Sequence, residues 1–287
     1  MTTEAWTVRK LLSWTQDFLK KKGLDTPRLD SEILLAHALG CPKIELYVRI
    51  DEEPPEPVRT VFREMIKKRA DGMPVAYLVG YREFYSLPFH VTPAVLIPRP
   101  ETETLVMEAL RLLKPMADPR VLDLCTGSGC VAVTIAKQHK TARVTATDIS
   151  AEALAVATKN AERHSMTDRV TFLKGDLAAA VAGQTFDVVV SNPPYIAQSE
   201  LPTLDPGVRN FEPMGALDGG PDGLDFYRRL AADVLALLNP GGTVLVEIGV
   251  TQEAAVRELF AAQLEPGKTF KDQAGRPRVV TARRRPS

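Results

Sequence analysis

The stretch Asp123-Leu124-Cys125-Thr126-Gly127-Ser128-Gly129-Cys130 decides the fold of this chain of 287 residues. It begins in an apolar run typical of a strand, Arg120–Leu124, and leads into a run typical of a helix, Val131–His139. In an open α/β sheet, ligands bind at the carboxyl ends of strands, where glycines let a ligand approach the backbone closely. The stretch therefore predicts an α/β sheet with a ligand-binding turn between this strand and this helix.

Short β-rich runs alternate with helical patterns on either side of this turn. The predicted strands are Arg120–Leu124, Val144–Asp148, Val170–Leu173, Phe186–Val190, Thr243–Glu247 and Arg278–Ala282. The predicted helices between and after them are Val131–His139, Ala151–His164, Leu224–Leu238 and Glu253–Leu264. Strands that alternate with helices predict a parallel sheet covered on both faces.

The N-terminal part of the chain has a different pattern. Apolar residues at helical spacing in Val8–Leu19 and Ile33–Leu39 predict helices, and Asp30 is expected to cap the second one. Two short aromatic-rich runs separated by Ser86 suit a hairpin-like connector. We therefore divide the chain into a helical domain (1–72), a connector (73–95) and an α/β domain (96–287).

Composition excludes several classes of protein. With 45% hydrophobic and 25% charged residues, the chain has an ordinary globular composition. Lys plus Arg and Asp plus Glu are equal at 36 each, which argues against a dedicated nucleic-acid binder. No apolar run approaches the roughly 18 residues of a membrane span. Three cysteines without a paired spacing favour a reducing compartment and no metal site, so we expect a cytoplasmic protein.

Asp148 adds a second candidate residue to the glycine turn. It lies 19 residues beyond Gly129, at the end of the next predicted strand, where a carboxylate can accept hydrogen bonds from both ribose hydroxyls. Together the two features suggest an adenosine-containing cofactor. The spacing Gly127-x-Gly129-x-x-Ala132 also fits a dinucleotide fingerprint, so a nicotinamide cofactor stays an alternative. Glycines that serve only tight packing of the turn are a further one.

The tetrapeptide Asn192-Pro193-Pro194-Tyr195 follows another predicted strand and should lie on the same rim. Two prolines fix the backbone and remove two N–H donors, which leaves carbonyl acceptors facing the cleft. An Asn oxygen, a proline carbonyl and an aromatic face match a planar nitrogen that carries two hydrogens, as in amides and exocyclic amino groups. The alternative is a rigid turn in which Asn192 caps and Tyr195 packs.

Further motifs, taken in order with Asn192–Tyr195, resemble one family. They are Ala76–Gly80, Arg82–Phe84, Val95–Glu103 and Phe211–Pro213. The whole chain is similar to the release-factor glutamine methyltransferases, which depend on S-adenosylmethionine. The resemblance implies a seven-stranded Rossmann-like methyltransferase sheet with a small N-terminal helical domain that binds the substrate. It also implies methylation of the glutamine in the Gly-Gly-Gln motif of class 1 peptide-chain release factors. We expect a monomer that needs no nucleic acid and no membrane.

The resemblance also implies a role for individual residues. The residues expected to bind the cofactor are Cys125, Thr126, Gly127, Ser128, Gly129, Asp148, Leu177 and Asn192. Those expected to bind substrate are Asn192, Pro193, Pro194, Tyr195 and Arg99, with the first four also catalytic. Two positions depart from the pattern of the family. Cys125 stands where many members have glycine, and Leu177 stands where relatives can have an aromatic residue against the adenine.

Other functions and roles remain open from the residues alone. An adenine methyltransferase of DNA would need base flipping and a basic groove, which the neutral net charge does not favour. A nicotinamide-dependent oxidoreductase would leave Asn192–Tyr195 unexplained, and a non-catalytic adapter would not need the pocket. Glu247 either does polar work at the rim of the cleft or is a carboxylate that is solvated or bonded to a neighbouring loop.

Overall fold

The computed structural model describes residues 5–286, which divide into two units. One unit runs to Gly80 and includes the later segment Asp205–Phe211. The other comprises Tyr81–Leu204 and the chain from Glu212 onward. The limits of 1–72, 73–95 and 96–287 proposed from the sequence differ from this division, and they stay a proposal.

The first unit is built from helices. They are α1 (Val8–Lys21), α2 (Pro27–Leu39), α3 (Lys43–Val48), α4 (Glu56–Ala70) and α5 (Val75–Val79). Their inward faces share a core in which Leu19, Leu34, Leu35 and Leu46 are fully buried. The segment Asp205–Phe211 also belongs to this unit.

The prediction that Asp30 caps the second helix is wrong. The helix begins three residues earlier at Pro27, whose fixed φ suits the first helical position. Asp30 lies inside the first turn, where its carboxylate accepts the Thr26 hydroxyl at 2.7 Å and pairs with the Arg69 guanidinium at 2.7 Å. The buried Asp30 therefore links α2 to α4 through its ion pair with Arg69.

The second unit opens with a hairpin of β1 (Tyr81–Phe84) and β2 (Leu87–His90), which pair antiparallel. The hairpin turns at Tyr85 and Ser86, both with positive φ, at 52° and 58°. A two-residue turn with positive φ at both central residues matches the right-handed twist of the two strands that it joins.

A seven-stranded sheet forms the centre of this unit, with the strand order β5-β4-β3-β6-β7-β9-β8. Its strands are β3 (Arg120–Leu124), β4 (Arg143–Asp148), β5 (Val170–Lys174), β6 (Phe186–Ser191), β7 (Leu238–Glu247), β8 (Glu265–Lys271) and β9 (Pro277–Arg283). The strands β3 to β7 are parallel, and β9 runs antiparallel to both of its neighbours. The seven-stranded α/β fold is therefore confirmed. Only β8 lacked a strand pattern of its own in the sequence.

Helices cover both faces of the sheet. They are α6 (Glu103–Leu113), α7 (Cys130–Gln138), α8 (Ala151–Arg163), α10 (Asp225–Leu237) and α11 (Glu253–Ala261), while α9 (Pro206–Phe211) lies in the first unit. Successive residues of the strands contribute to opposite cores, as strand geometry requires: Val188 and Val190 to one, Val189 to the other. Of the described helices, none is long and apolar enough to cross a membrane.

The order of the strands places the site. In the sheet, β4 and β5 lie on one side of β3, and β6 and β7 lie on the other side. The order in which the chain adds strands therefore reverses between β3 and β6. Leu124 pairs with Thr147 of β4 and with Ser191 of β6, and Ser191 pairs with Val246 of β7. The residues that follow these positions therefore meet at one edge of the sheet, where open α/β sheets bind their ligands.

Candidate functional site

The turn after β3 has a left-handed backbone at three positions. The φ angles are 60° at Cys125, 54° at Gly127 and 78° at Gly129. A Cβ added to Gly129 would lie 3.0 Å from the Ala157 side chain, so glycine lets α7 and α8 pack closely here. A Cβ on Gly127 would meet nothing within 4 Å, which means that the space above this residue is open.

Asp148 lies beside the turn and is fixed by backbone donors. Its Oδ2 accepts the Gly127 N–H at 2.9 Å, and its Oδ1 accepts the Ser150 N–H at 2.9 Å. The side chain is only partly buried, and each carboxylate oxygen has a second lone pair. The carboxylate is therefore held in place and can still accept hydrogen bonds from a ligand.

Asp123, near the end of β3, stabilises the turn through hydrogen bonds. It is 1% exposed, and its Oδ2 accepts the Thr126 hydroxyl at 2.6 Å and the Ala132 N–H at 3.2 Å. Burial raises the pKa of the Asp123 carboxyl to about 7, against the effect of these two hydrogen bonds, and the nearby Asp148 charge adds to the rise. No pattern in the sequence predicted a role for Asp123. The structure makes it the anchor of the turn.

A cleft of about 520 Å³ opens at this edge of the sheet, a size common for small-molecule sites. Nine of the residues expected from the sequence line it: Arg99, Cys125, Thr126, Gly127, Ser128, Asp148, Leu177, Asn192 and Pro194. Gly129 packs against α8 instead, and Pro193 is buried. Tyr195 does not line the cleft either.

The Asn192 side chain is oriented by a residue distant in sequence. Its Nδ2 donates a hydrogen bond to Thr102 Oγ1 at 3.1 Å, and Thr102 is 2% exposed. This contact uses the donor end of the amide and leaves Oδ1 as the acceptor end. Thr102 lies in a short 3-10 helix, Pro100–Thr102, within the motif Val95–Glu103. Spacing alone gave no signal for its role.

Tyr195 does not line the cleft, and its hydrogen bonds hold the loop in place. Its hydroxyl donates to Glu247 Oε1 at 3.3 Å, and its carbonyl accepts the Gln252 side-chain amide at 2.8 Å. Burial raises the pKa of the Tyr195 hydroxyl well above its usual range, so the group stays neutral. A Cβ on Gly219 would lie 2.7 Å from Tyr195 Cα, which shows how closely the loop after Ala216 packs against it. Sequence reasoning missed both Gln252 and this loop.

Glu247, the last residue of β7, is 1% exposed, so it is not a solvated carboxylate at the rim. Burial raises the pKa of its carboxyl to about 7, although Thr102, Arg278 and Tyr195 each act to lower it. Within residues 5–286, its Oε2 has no hydrogen-bond partner. Its backbone carbonyl accepts the Tyr227 hydroxyl at 2.6 Å.

Arg99 lines the cleft but is also held by an ion pair. Its Nη2 lies 2.6 Å from Glu212 Oε1, and Glu212 Oε2 accepts the Ile97 N–H at 3.1 Å. The Glu212 side chain is almost fully buried, whereas that of Arg99 is 32% exposed. Glu212 therefore fixes the segment that carries Arg99. Glu212 belongs to the motif Phe211–Pro213, but no pattern in the sequence predicted its role.

Leu177 forms part of the apolar wall of the cleft. It is 8% exposed, has a φ of 52° and begins a short 3-10 helix, Leu177–Val181. Next to it, Asp176 pairs with Arg229 at 2.7 Å, and both line the same cleft. An aliphatic side chain thus stands where the family resemblance led us to look for an adenine contact.

The surroundings of the two cysteines near the turn favour the protonated thiol. Burial raises the pKa of the Cys130 thiol to about 12 and that of the Cys125 thiol beyond its usual range. Both are free thiols. Over the described stretch 5–286, no cluster of three or more His, Cys, Asp or Glu side chains could hold a metal ion.

Comparison with known proteins gives two matching family models and many relatives. Residues 10–80 match the PrmC N-terminal domain, and residues 102–204 match the methyltransferase small domain. A release factor glutamine methyltransferase of Rhodopirellula baltica is 49% identical, covering 96% of each chain. One of Geobacter sulfurreducens is 45% identical, covering 90% of this chain and 89% of the relative. The crystal structure of a Pyrococcus furiosus methyltransferase, 21% identical, covers 78% of this chain and 98% of its own at a TM-score of 0.52, which shows the fold alone.

Proposed function

Because this chain belongs to the release factor glutamine methyltransferase family, we propose that it methylates the side-chain amide of a glutamine in peptide-chain release factors. The methyl donor is S-adenosylmethionine, and the target is the glutamine of the Gly-Gly-Gln motif in class 1 factors. The observation that carries this function is the Asn192 amide, tied at its donor end to Thr102 at the edge of the cleft. Its acceptor end is then available to a planar nitrogen with two hydrogens.

The residues of the cleft fit S-adenosylmethionine. The open space at Gly127 lets a ligand approach the backbone, and Asp148 can accept from ribose hydroxyls. Leu177 offers an apolar wall in the same cleft. Cys125 already has the left-handed backbone that glycine provides in many family members, so this departure leaves the turn intact. When bound, S-adenosylmethionine supplies an electrophilic methyl group on a positively charged sulfur.

The protein mainly has to position a weak nucleophile. An amide nitrogen is unreactive because its lone pair is delocalised into the carbonyl. The Asn192 side-chain oxygen accepts one of its two hydrogens. The carbonyl of Pro193, which lies between the lining residues Asn192 and Pro194, accepts the other, and together they aim the nitrogen at the methyl carbon. Holding reactants in such a geometry can supply roughly 7–11 kcal/mol of the barrier. The same acceptors stabilise the positive charge that grows on the nitrogen.

The balance of the reaction requires no strong base. The substrate nitrogen forms a bond to the methyl carbon as the carbon–sulfur bond breaks, and one proton then leaves the nitrogen for solvent. Tyr195, whose pKa is raised by burial, cannot serve as a base at neutral pH. Its hydroxyl instead donates to Glu247, which keeps the loop in place.

The partner and the setting of the reaction follow from the same proposal. The helical domain, 1–72, grips the body of the release factor, so that the glutamine loop reaches the cleft. The equal numbers of acidic and basic residues suit a protein partner and no nucleic acid. The enzyme acts as a monomer in the cytoplasm. Sedimentation of the enzyme with and without a release factor tests for a one-to-one complex.

A labelling experiment tests the function. The enzyme is incubated with methyl-labelled S-adenosylmethionine and one of three acceptors: a release factor, its Gly-Gly-Ala variant, or duplex DNA. We expect label on the wild-type factor alone. Label on the Gly-Gly-Ala variant would place the methyl group on another residue. Label on DNA would favour the adenine methyltransferase.

A further inference from the structure

Glu247 is a buried charge with an incomplete set of partners, directly behind the substrate loop. A carboxylate removed from water costs free energy unless hydrogen bonds compensate. Here only Oε1 has a partner within residues 5–286, and that partner is the Tyr195 hydroxyl at 3.3 Å. A neutral side chain of the same size would be cheaper to bury. The position therefore needs an explanation beyond packing.

Two arms connect this carboxyl to the two ends of the Asn192–Tyr195 loop. One arm is the direct bond from the Tyr195 hydroxyl. The other passes through the buried Thr102 hydroxyl, which accepts the Asn192 amide at 3.1 Å and acts to lower the pKa of the Glu247 carboxyl, so we place it within reach of the unpartnered Oε2. The acceptor that aims the substrate nitrogen is thus only one hydroxyl away from Glu247.

We propose that Glu247 is a positioning residue, whose carboxylate orients the Thr102 and Tyr195 hydroxyls as donors and thereby fixes the Asn192 amide. The inference rests on the proposed function, since it assigns a task to the amide in that reaction. Glu247 touches neither reactant in this scheme and acts only through its neighbours.

The direction of the hydrogen bonds follows from the number of protons available. A threonine hydroxyl has one proton, and once it is given to a carboxylate the oxygen can only accept from Asn192. Asn192 must then present Nδ2 to Thr102 and Oδ1 to the substrate. A protonated or amidated side chain at position 247 can itself donate to Thr102. The threonine proton is then free, and both orientations of the Asn192 amide become possible.

The surroundings of the carboxyl set the pH at which it ionises. Burial raises the pKa of Glu247 to about 7, and the negative charge of Glu101 adds to this, whereas Arg278 lowers it. Arg278 itself pairs with Asp272 at 3.2 Å, and its charge also acts on Glu247. The titratable or charged groups that face Glu247 are Glu101, Cys130, Tyr195, Tyr227 and Arg278. The carboxylate form therefore predominates above neutral pH.

The first test compares Glu247→Gln with the wild type from pH 5.5 to 9, using a release factor and saturating S-adenosylmethionine. For the wild type we expect kcat to fall about tenfold per pH unit below 7 and to level off above it. For Glu247→Gln we expect a nearly flat profile, about 10- to 100-fold lower at pH 8, with the Kd for S-adenosylmethionine within about twofold. A wild-type profile and rate in the variant would overturn the proposal, because the titrating group would then be another, such as Asp123.

A matched control is available at the other end of the same sheet. Asp187 accepts the Arg120 N–H at 2.8 Å and the Asn239 amide at 2.7 Å, at the amino end of β6. Asp187→Asn makes the same change from carboxylate to amide and should leave the rate and its pH profile unchanged. An equal effect in both variants would mean a general loss of structure and would count against a specific role for Glu247.

The second test uses Thr102 and does not depend on turnover or on folding of the Glu247 variant. In the protein alone, the Glu247 carboxyl is titrated by ¹³C NMR in the wild type, Thr102→Val and Thr102→Ser. We expect Thr102→Val to raise the pKa of Glu247, since the hydroxyl donor is lost, and Thr102→Ser to restore it. An unchanged titration in Thr102→Val would overturn the arm through Thr102. Absence of label with the wild-type enzyme would overturn the proposed function instead, and the titration would still decide this inference.

Discussion

The two sides of the cleft are built by different means. The cofactor side is made of backbone from neighbouring residues, with left-handed φ at Cys125 and Gly127 and a carboxylate that binds the turn directly. The substrate side depends on side-chain bonds that span 90, 52 and 57 residues of sequence. A local motif can therefore specify cofactor binding, whereas the substrate loop acquires its geometry only when the sheet has assembled. Substitutions at five positions test this difference.

The largest effect is expected for Asn192→Ala on the substrate side. Losing the acceptor that aims the amide should lower kcat about 10²- to 10³-fold, as for other groups that stabilise developing charge. The Kd for S-adenosylmethionine should change less than about threefold, since the glycine turn is untouched. Single-turnover rates and calorimetric binding measure the two quantities. Comparable losses in both would remove the distinction between the two sides.

Asp148→Ala tests the cofactor side. Hydrogen bonds to a charged acceptor contribute about 1.5–3 kcal/mol, so the Kd for S-adenosylmethionine should rise about 10- to 100-fold. At saturating cofactor, kcat should stay within a fewfold of the wild type. Asp148→Asn retains one acceptor oxygen for the Gly127 or Ser150 N–H and should lose less affinity. A fall in kcat without a change in Kd would contradict the assignment.

The pH dependence of the free energy of unfolding distinguishes the two buried carboxyls, Glu247 and Asp123. For Glu247, whose pKa rises from 4.5 to about 7 on folding, the folded state holds more protons between these values. The free energy of unfolding of the protein should therefore fall as the pH rises from 4.5 to about 7, by up to about 3 kcal/mol, because each unit of pKa shift corresponds to about 1.36 kcal/mol. Urea denaturation should find Glu247→Gln close to the wild type at pH 5 and more stable at pH 8.

Asp123→Asn is the counterpart on the cofactor side. The pKa of Asp123 is also raised to about 7, but its Oδ2 accepts both the Thr126 hydroxyl and the Ala132 N–H. An amide restores these two bonds less well, so we expect a smaller gain at pH 8 than for Glu247→Gln, or a loss. An equal gain in both variants would show that the hydrogen bonds of the turn do not matter for its stability.

The smallest effect is expected at Cys125. In Cys125→Gly, relief of a left-handed backbone, about 1–2 kcal/mol, is largely offset by the greater freedom of glycine in the unfolded chain, so stability should change by less than about 1 kcal/mol. The Kd for S-adenosylmethionine should stay within about threefold. Cys125→Val places a β-branched residue at a φ of 60° and should destabilise by about 1–2 kcal/mol. Urea denaturation of both variants measures this difference.

The same difference explains how much could be predicted from the sequence. The glycine turn, Asp148 and Asn192–Tyr195 follow strands directly, so pattern and strand order were enough to bring them to one rim. Thr102 and Glu212 carry no such signal, because each acts on a residue about a hundred positions away. The strand β8 was not recognised, since Pro266 and Gly267 interrupt its pattern and it gains its register only by pairing with β9. Asp30 was misassigned because a contact with α4 cannot be seen in local spacing.

The segment Asp205–Phe211 has a consequence for how the protein is made. It belongs to the helical unit, where a Cβ on Gly207 would lie 3.1 Å from the carbonyl of Gly72. A ribosome adding about 5–20 residues per second reaches Asp205 roughly 6–25 s after Gly80. The helices at the start of the chain therefore leave the ribosome well before their last packing element exists. A nascent chain stalled between these points should expose to chaperones and proteases the surface of the helical unit that this segment later covers.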